Sequence, residues 1–332
     1  MSSVPTAAEI AHDARWLAQA LDPAAGIARL VAMTPEDYRA AAFLDDRMLQ
    51  PAVDARPLPW SEVAAAAALV RRDDARWIFH IGHVGSTLVA RLLGELPNVL
   101  AVREPRFLRD LCAVDGPSRA DYVPATRALF SRSFGSGQAA LVKATSFVSE
   151  IAPELVGADG RALFLTASAP QYIATILAGE NNVRELHALA QVRAERMAAR
   201  VPGLGSPTNA ADLAAAAWAC EMTALEAAAE TLPRTNVVWV DFDRLLGDVA
   251  GQLRYIVEGL ALDTADEELG ALAHSPLLKQ YSKAPEYDYS PRLRSDLIAE
   301  AAAHFAADID GALAMLDRAS EKSPALARAL QR

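Results

Sequence analysis

Short runs of uninterrupted apolar residues alternate with amphipathic stretches over most of this chain. Five runs stand out: "WIFHIG" from 77, "VLAVRE" from 99, "AALVKAT" from 139, "RALFLTAS" from 161 and "NVVWVDFD" from 236. A strand covered on both faces has no solvent side on which polar residues would alternate, so such runs, spaced by helical segments, predict a parallel sheet flanked by helices. The predicted fold class is α/β. Before these runs, "AEIAHDARWLAQAL" and "WSEVAAAAALVRR" carry apolar residues at helical spacing, which predicts a helical N-terminal extension over residues 1–75. Between the fourth and fifth runs, "NNVRELHALAQVRAERMAARV" and "ADLAAAAWACEMTALEAAAETL" flank the turn-rich "PGLGSPTN". They predict a helical insertion over about 181–232, long enough to form a lid or a substrate wall. Residues 76–332 then read as one α/β domain carrying that insertion and a helical C-terminal segment.

Composition narrows the partners. A chain of 332 residues with 52% hydrophobic content can bury a large core. Its formal net charge of −10 argues against general nucleic-acid binding, which needs a surplus of Lys and Arg on some face, so an anionic ligand must find a local site. The opening "MSSVPTAAEIAHDARW" lacks a basic region followed by an apolar run, and no window approaches the length of a membrane span, which predicts a cytoplasmic protein without a membrane partner. Cys112 and Cys220 make neither a metal-ligand spacing nor a disulfide framework and read as buried thiols.

The chemistry gathers at "HIGHVGST". In the pattern G-x-x-x-x-G-K-[ST], backbone N–H groups surround phosphates, the lysine reaches their outer oxygens and the hydroxyl serves a metal. Placing Gly85 on the second glycine puts His80 on the first, Ser86 on the lysine and Thr87 on the hydroxyl. Two of the four positions fail, yet the physics of the loop survives. Gly82, Val84 and Gly85 lead into a helix whose first N–H groups, on Gly85, Ser86 and Thr87, present the positive end of its dipole to an anion. The plainer alternative is a structural turn, which needs one glycine and has no use for Ser-Thr behind it.

"GHVGSTLVARLLGELPNVLAVREP" resembles the sulfotransferases, whose 5′-phosphosulfate loop reads P-K-S-G-T-T or R-S-G-T-T-L and is followed by a helix, a strand and a Glu-Pro pair. "NVVWVDFDRLLGDVAGQLRYIVEGLAL" is similar to the late strand and helix of that family, and "FLDDR" and "YSKAPE" resemble a bacterial sulfotransferase-like group. The resemblance implies a P-loop nucleotide-binding fold and 3′-phosphoadenosine 5′-phosphosulfate as donor. It also implies transfer of a sulfuryl group to a hydroxyl or amine of a small-molecule or peptide acceptor, with no metal required. Ser86 and Thr87 would hold the 5′-phosphosulfate. His83 stands where the family has a catalytic Lys or Arg and would supply that cation; the alternative is a histidine bonded to a nearby carbonyl. The K-T-H pattern of many members is here "LVKATSF", with Thr145 in place of the histidine base. Glu104 is then the candidate base, at a sheet edge where parallel sheets bind ligands, or else it pairs with Arg103 or Arg106 or caps the next helix. Lys143 is either a phosphate contact or an exposed strand-end lysine.

The R-D-P…S pattern that reads the donor's 3′-phosphate appears as "FLTASAPQYIATIL". Ser168 and Thr175 can donate, but the arginine is missing, at a cost of about 1.5–3 kcal/mol. Compensating cations are sought in Arg184 and in the late "SPLLKQYSKAPEYDYSPRLR", with Lys279, Lys283, Arg292 and Arg294 among three tyrosines, or that segment is a solvated linker. Asp241 and Asp243 read as helix caps before they read as a metal pair, and Trp218, Trp239, Met197 and Met222 as core. The acceptor and the oligomeric state are left undetermined.

Overall fold

In the computed structural model, which describes residues 4–50, 53–279 and 291–332, the N-terminal segment is not the helical extension its spacing predicts. It holds three short helices (Ala7–His12, Pro35–Ala40 and Trp60–Ala67) and an antiparallel sheet of β1 (Trp16–Asp22), β2 (Ile27–Ala32) and β3 (Ala55–Pro59). Thr6 and Glu9 cap the first helix reciprocally, and it ends at His12. The apolar run after it, Trp16 to Leu21, is buried on both faces as a strand, and a two-sided strand can show the same apolar content as one side of a helix. Gly26, at φ 62°, turns β1 into β2. Pro57 and Pro59 lie on β3 at the sheet's edge, where a missing N–H costs nothing.

Two buried arginines tie this segment to the rest. Arg132 donates to the carbonyls of Ile10, Asp13 and Trp16, and Arg103 to those of Tyr38, Arg39 and Ala41. Burial pulls each guanidinium down to about 10, which leaves both charged at neutral pH.

The five apolar runs form the main sheet: β4 (Arg76–His80), β5 (Val99–Arg103), β6 (Ala139–Lys143), β7 (Arg161–Thr166) and β8 (Val237–Asp241). All neighbouring pairs are parallel, in the order β5-β6-β4-β7-β8. β4 is central. The chain leaves it toward β5 and β6 on one side and later reaches β7 and β8 on the other, so the strand order reverses there. A crevice opens beyond the C-terminal ends of strands at such a point.

Among the helices around the sheet are α1 (Ser86–Leu93), α2 (Arg106–Cys112), α3 (Ala169–Leu177), α4 (Glu180–Met197), α5 (Ala210–Thr231), α6 (Phe242–Gly247), α7 (Pro291–His304) and α8 (Ala306–Ser320), and all of these but α5 and α8 contribute residues to that crevice. The predicted insertion is α4 and α5. α5 is buried around most of its circumference, and its alanines let α3, α4 and α8 approach closely. α4 stands on an ionic base: Glu221, 1% exposed, accepts from Arg196 at 3.0 and 3.2 Å, while Arg196 and Arg200 both bridge to Glu150. Trp218, Met197 and Met222 are core as predicted, whereas Trp239 is half-buried beneath the guanidinium of Arg332. Cys220 is buried and Cys112 partly so, both unpaired, and burial pushes the thiols up to about 12 and about 11. Among the described residues no helix is long and apolar enough to cross a membrane.

Candidate active site

β4 delivers the glycine turn to the crevice. His80, at its end, is buried; its Nε2 lies 2.9 Å from the Ala144 carbonyl and its Nδ1 accepts the Gly82 N–H at 3.0 Å. The first ring thus braces the loop against β6. Gly82, His83 and Gly85 all take left-handed angles, with φ of 82°, 54° and 64°, and this winds the chain back on itself so that α1 starts at the strand tip. Gly85 is enforced twice. Besides its angle, a Cβ there would lie 2.0 Å from Cζ of Phe242, the first residue of α6. Val84 is buried beneath the turn, and Ser86 and Thr87 form the first turn of α1. Among the described residues neither hydroxyl has a hydrogen-bond partner, and no side chain caps α1, so the leading N–H groups of the helix are left for a ligand.

The second component sits across the crevice at the ends of β5 and β6. Glu104 has φ 52°, and its N–H bonds to the Lys143 carbonyl at 2.7 Å. Its carboxylate pairs with the Lys143 ammonium, and not with Arg103 or Arg106. Arg103 is occupied by backbone carbonyls, and Arg106 by Asp46 and Asp110. Lys143 is 1% exposed and so is not the exposed strand-end lysine of the plainer reading. The parallel register explains the pair: Arg103 lies opposite Lys143, and the next residue on β5 turns across the neighbouring strand's end. "FLDDR" approaches it from the N-terminal segment, with the Phe43 ring 6.0 Å from the Lys143 ammonium and 3.7 Å from the guanidinium of Arg47.

The turn, the ion pair, α3, α4 and α7 enclose one cavity of about 970 Å³. Its wall includes Gly82, His83, Gly85, Ser86, Thr87, Glu104 and Lys143, and also Thr175 from α3. His83 Nε2 lies 3.6 Å from Glu185 Oε2 on α4, and its ring meets Tyr172 edge-on. Among the described residues the Thr145 hydroxyl is buried in that wall without a hydrogen-bond partner.

Ser168 does not line this cavity. It lies in an adjoining depression of about 420 Å³ with Gln171, Asp241, Asp243 and Arg294. Arg294, on α7, lines both hollows, bonds Asp243 at 2.7 Å and stacks over Phe242. Arg292, expected at the nucleotide, has its side chain 92% exposed and 3.8 Å from Asp296, and it lines neither hollow. Arg184 is exposed and pairs with Glu180. Lys283 lies outside the described residues. Asp241 caps α6 through the Arg244 N–H, as predicted.

Sequence reasoning missed two charged wall residues, Arg109 on α2 and Glu185 on α4, and named Arg294 only as one of several cations of the late segment. Only Glu185 left a trace, as the polar member of the i, i+4, i+7 stripe Glu185, Leu189, Val192 on α4.

No protein-family model matches the chain, and no curated protein matches it. Solved structures similar to it include the sulfotransferase domain from the curacin biosynthetic pathway, 10% identical over 71% of this chain and 98% of that one, with a TM-score of 0.43. A mouse sulfotransferase complexed with PAP is 11% identical over 78% of this chain and 89% of its own, with a TM-score of 0.44. The sulfotransferase domain from the Synechococcus PCC 7002 olefin synthase is 13% identical over 70% and 94%, with a TM-score of 0.41.

Proposed function

We propose that this protein is a sulfotransferase that moves a sulfuryl group from 3′-phosphoadenosine 5′-phosphosulfate to a hydroxyl or amine. One observation carries the reading: the uncapped start of α1 with its two free hydroxyls and the Glu104–Lys143 pair face each other across a single cavity. The first is built for an anion, the second for moving a proton beside one. In the reaction the acceptor oxygen attacks sulfur, the bond from sulfur to the 5′-phosphate oxygen breaks, and the acceptor's proton passes to the Glu104 carboxylate. Charge that grows on the leaving phosphate meets the N–H groups of Gly85, Ser86 and Thr87, the two hydroxyls, the Lys143 ammonium and the His83 ring. Such preorganised groups supply most of the catalysis in transfers of this kind. The 3′-phosphate falls to Ser168 and Arg294 in the adjoining depression, so the cation absent after β7 is returned by α7. This reading calls for no metal.

Loss of the loop lysine and the engagement of Glu104 by Lys143 favour a second reading, a nucleotide binder that does not transfer. Melting the protein with adenosine 3′,5′-bisphosphate, with ATP and magnesium, and with AMP separates the two. At about 100 times its dissociation constant the right ligand adds about 2.7 kcal/mol, a shift of several degrees. Selective stabilisation by the bisphosphate, abolished in Ser86→Ala, is expected. Turnover that falls at least a hundredfold in Glu104→Gln then marks the enzyme; bisphosphate binding without transfer to any acceptor marks the binder. Preference for ATP would sink the sulfotransferase reading and leave a nucleotide binder or, if phosphoryl transfer then follows, a phosphotransferase.

A further inference from the structure

We infer that the acceptor is an alcohol with a long apolar chain, held between α4 and α7; the inference rests on the sulfotransferase reading above. Of the eight large apolar side chains that stand exposed among the described residues, four line this one cavity: Leu189 (37%), Val192 (41%), Leu293 (52%) and Leu297 (46%). They arise as two helical stripes. Leu189 and Val192 follow Glu185 along one face of α4, and Leu293 and Leu297 stand four residues apart on α7. Exposed leucines scattered singly need no explanation, whereas a contiguous group inside a concave wall marks a ligand surface. The patch is continuous with the reacting groups: the stripe on α4 begins at Glu185, 3.6 Å from His83, and the cavity that the four residues line also holds Glu104 and Lys143. The cavity therefore joins the charged groups of the glycine turn and the Glu104–Lys143 pair to an aliphatic surface from α4 and α7, where the one charge, Arg294, is paired with Asp243. A sugar or an acidic peptide would place polar groups against the aliphatic surface without partners, at a cost in desolvation; an alkyl chain leaves none unpaired. Its terminal hydroxyl reaches the charged groups, gives its proton to Glu104 and forms the new oxygen–sulfur bond as the sulfur–phosphate oxygen bond breaks.

The test uses the full chain, n-decanol and n-butanol, and the double variant Leu189→Gln/Leu293→Gln. Both side chains are exposed, so the variant is expected to melt close to wild type. With donor present, kcat/KM is expected to rise up to about fourfold for each methylene added between the two alcohols, as burial of a CH2 group predicts. The double variant is expected to lose most of that dependence while keeping its stabilisation by the bisphosphate. Equal rates with both alcohols, or turnover confined to a sugar or a peptide, would overturn the inference and leave the sulfotransferase reading standing. n-Decanol that stabilises the wild type but not the variant, with no response to the bisphosphate, would keep the apolar pocket and overturn transfer. A dimer in sedimentation that the double variant dissolves would make the patch an interface between copies and overturn the inference.

Discussion

His83 and Glu104 share an uncommon backbone. Only three non-glycine residues among those described have positive φ, and these are two of them, the third being Ala261. A left-handed angle on a residue with a side chain costs about 1–3 kcal/mol and persists where the surroundings impose it, most often at functional sites. Here it turns one side chain into the cavity from each of two strand ends. His83→Gly is therefore expected to be more stable than wild type by about 1 kcal/mol in urea unfolding, while turnover falls at least tenfold. Stability unchanged or lowered would mean the angle carries no strain, and unchanged turnover would remove His83 from the chemistry. Sequence could supply the two residues because each stands next to a punctuating Gly or Pro; it could not supply the angles, which depend on packing against β6 and α6.

At the scale of elements, the five parallel strands were legible because burial on both faces leaves an uninterrupted apolar run, which few other local structures require. The antiparallel N-terminal sheet was not, because β1 is also buried on both faces and its alanines and leucines fit a helical stripe equally well. Arg109, Glu185 and Arg294 come from three helices far apart in sequence and line one cavity only through tertiary packing, so a helical stripe could hint at Glu185 and a basic segment at Arg294, but nothing local could join the three. The wall that carries Glu185 depends on a buried pairing. Burial works against the charge of Arg196, and the Glu221 carboxylate outweighs it, holding Arg196 above its ordinary value. Glu221→Gln would leave Arg193 and Arg196 facing a neutral amide in the interior and is expected to cost about 3 kcal/mol in urea unfolding. Glu150→Gln, at a more exposed position, is expected to cost less. Equal costs would show that α4 is held by its apolar face instead.

For the molecule as a whole, acid should be the weak side. Asp45 and Asp74 are partly buried, which alone would raise them, but hydrogen bonds from Arg47 and Arg72 respectively outweigh burial and hold both carboxyls below their usual 3.8. A carboxylate depressed in the folded state adds stability that is complete above the unfolded value and is lost as pH falls through the folded one. Thermal stability is thus expected to drop below about pH 4, and less steeply in Asp45→Asn; parallel curves for variant and wild type would dismiss the Asp45 contribution. The arrangement of the cavity has a further consequence, for the order in which the protein becomes useful. The glycine turn emerges early in synthesis, but Arg294, Leu293 and Leu297 belong to α7 and follow every strand of both sheets. A nascent chain on the ribosome therefore forms the glycine turn before it owns the far wall of the cavity. On the proposed reading, stabilisation by the nucleotide is expected only once α7 has been made.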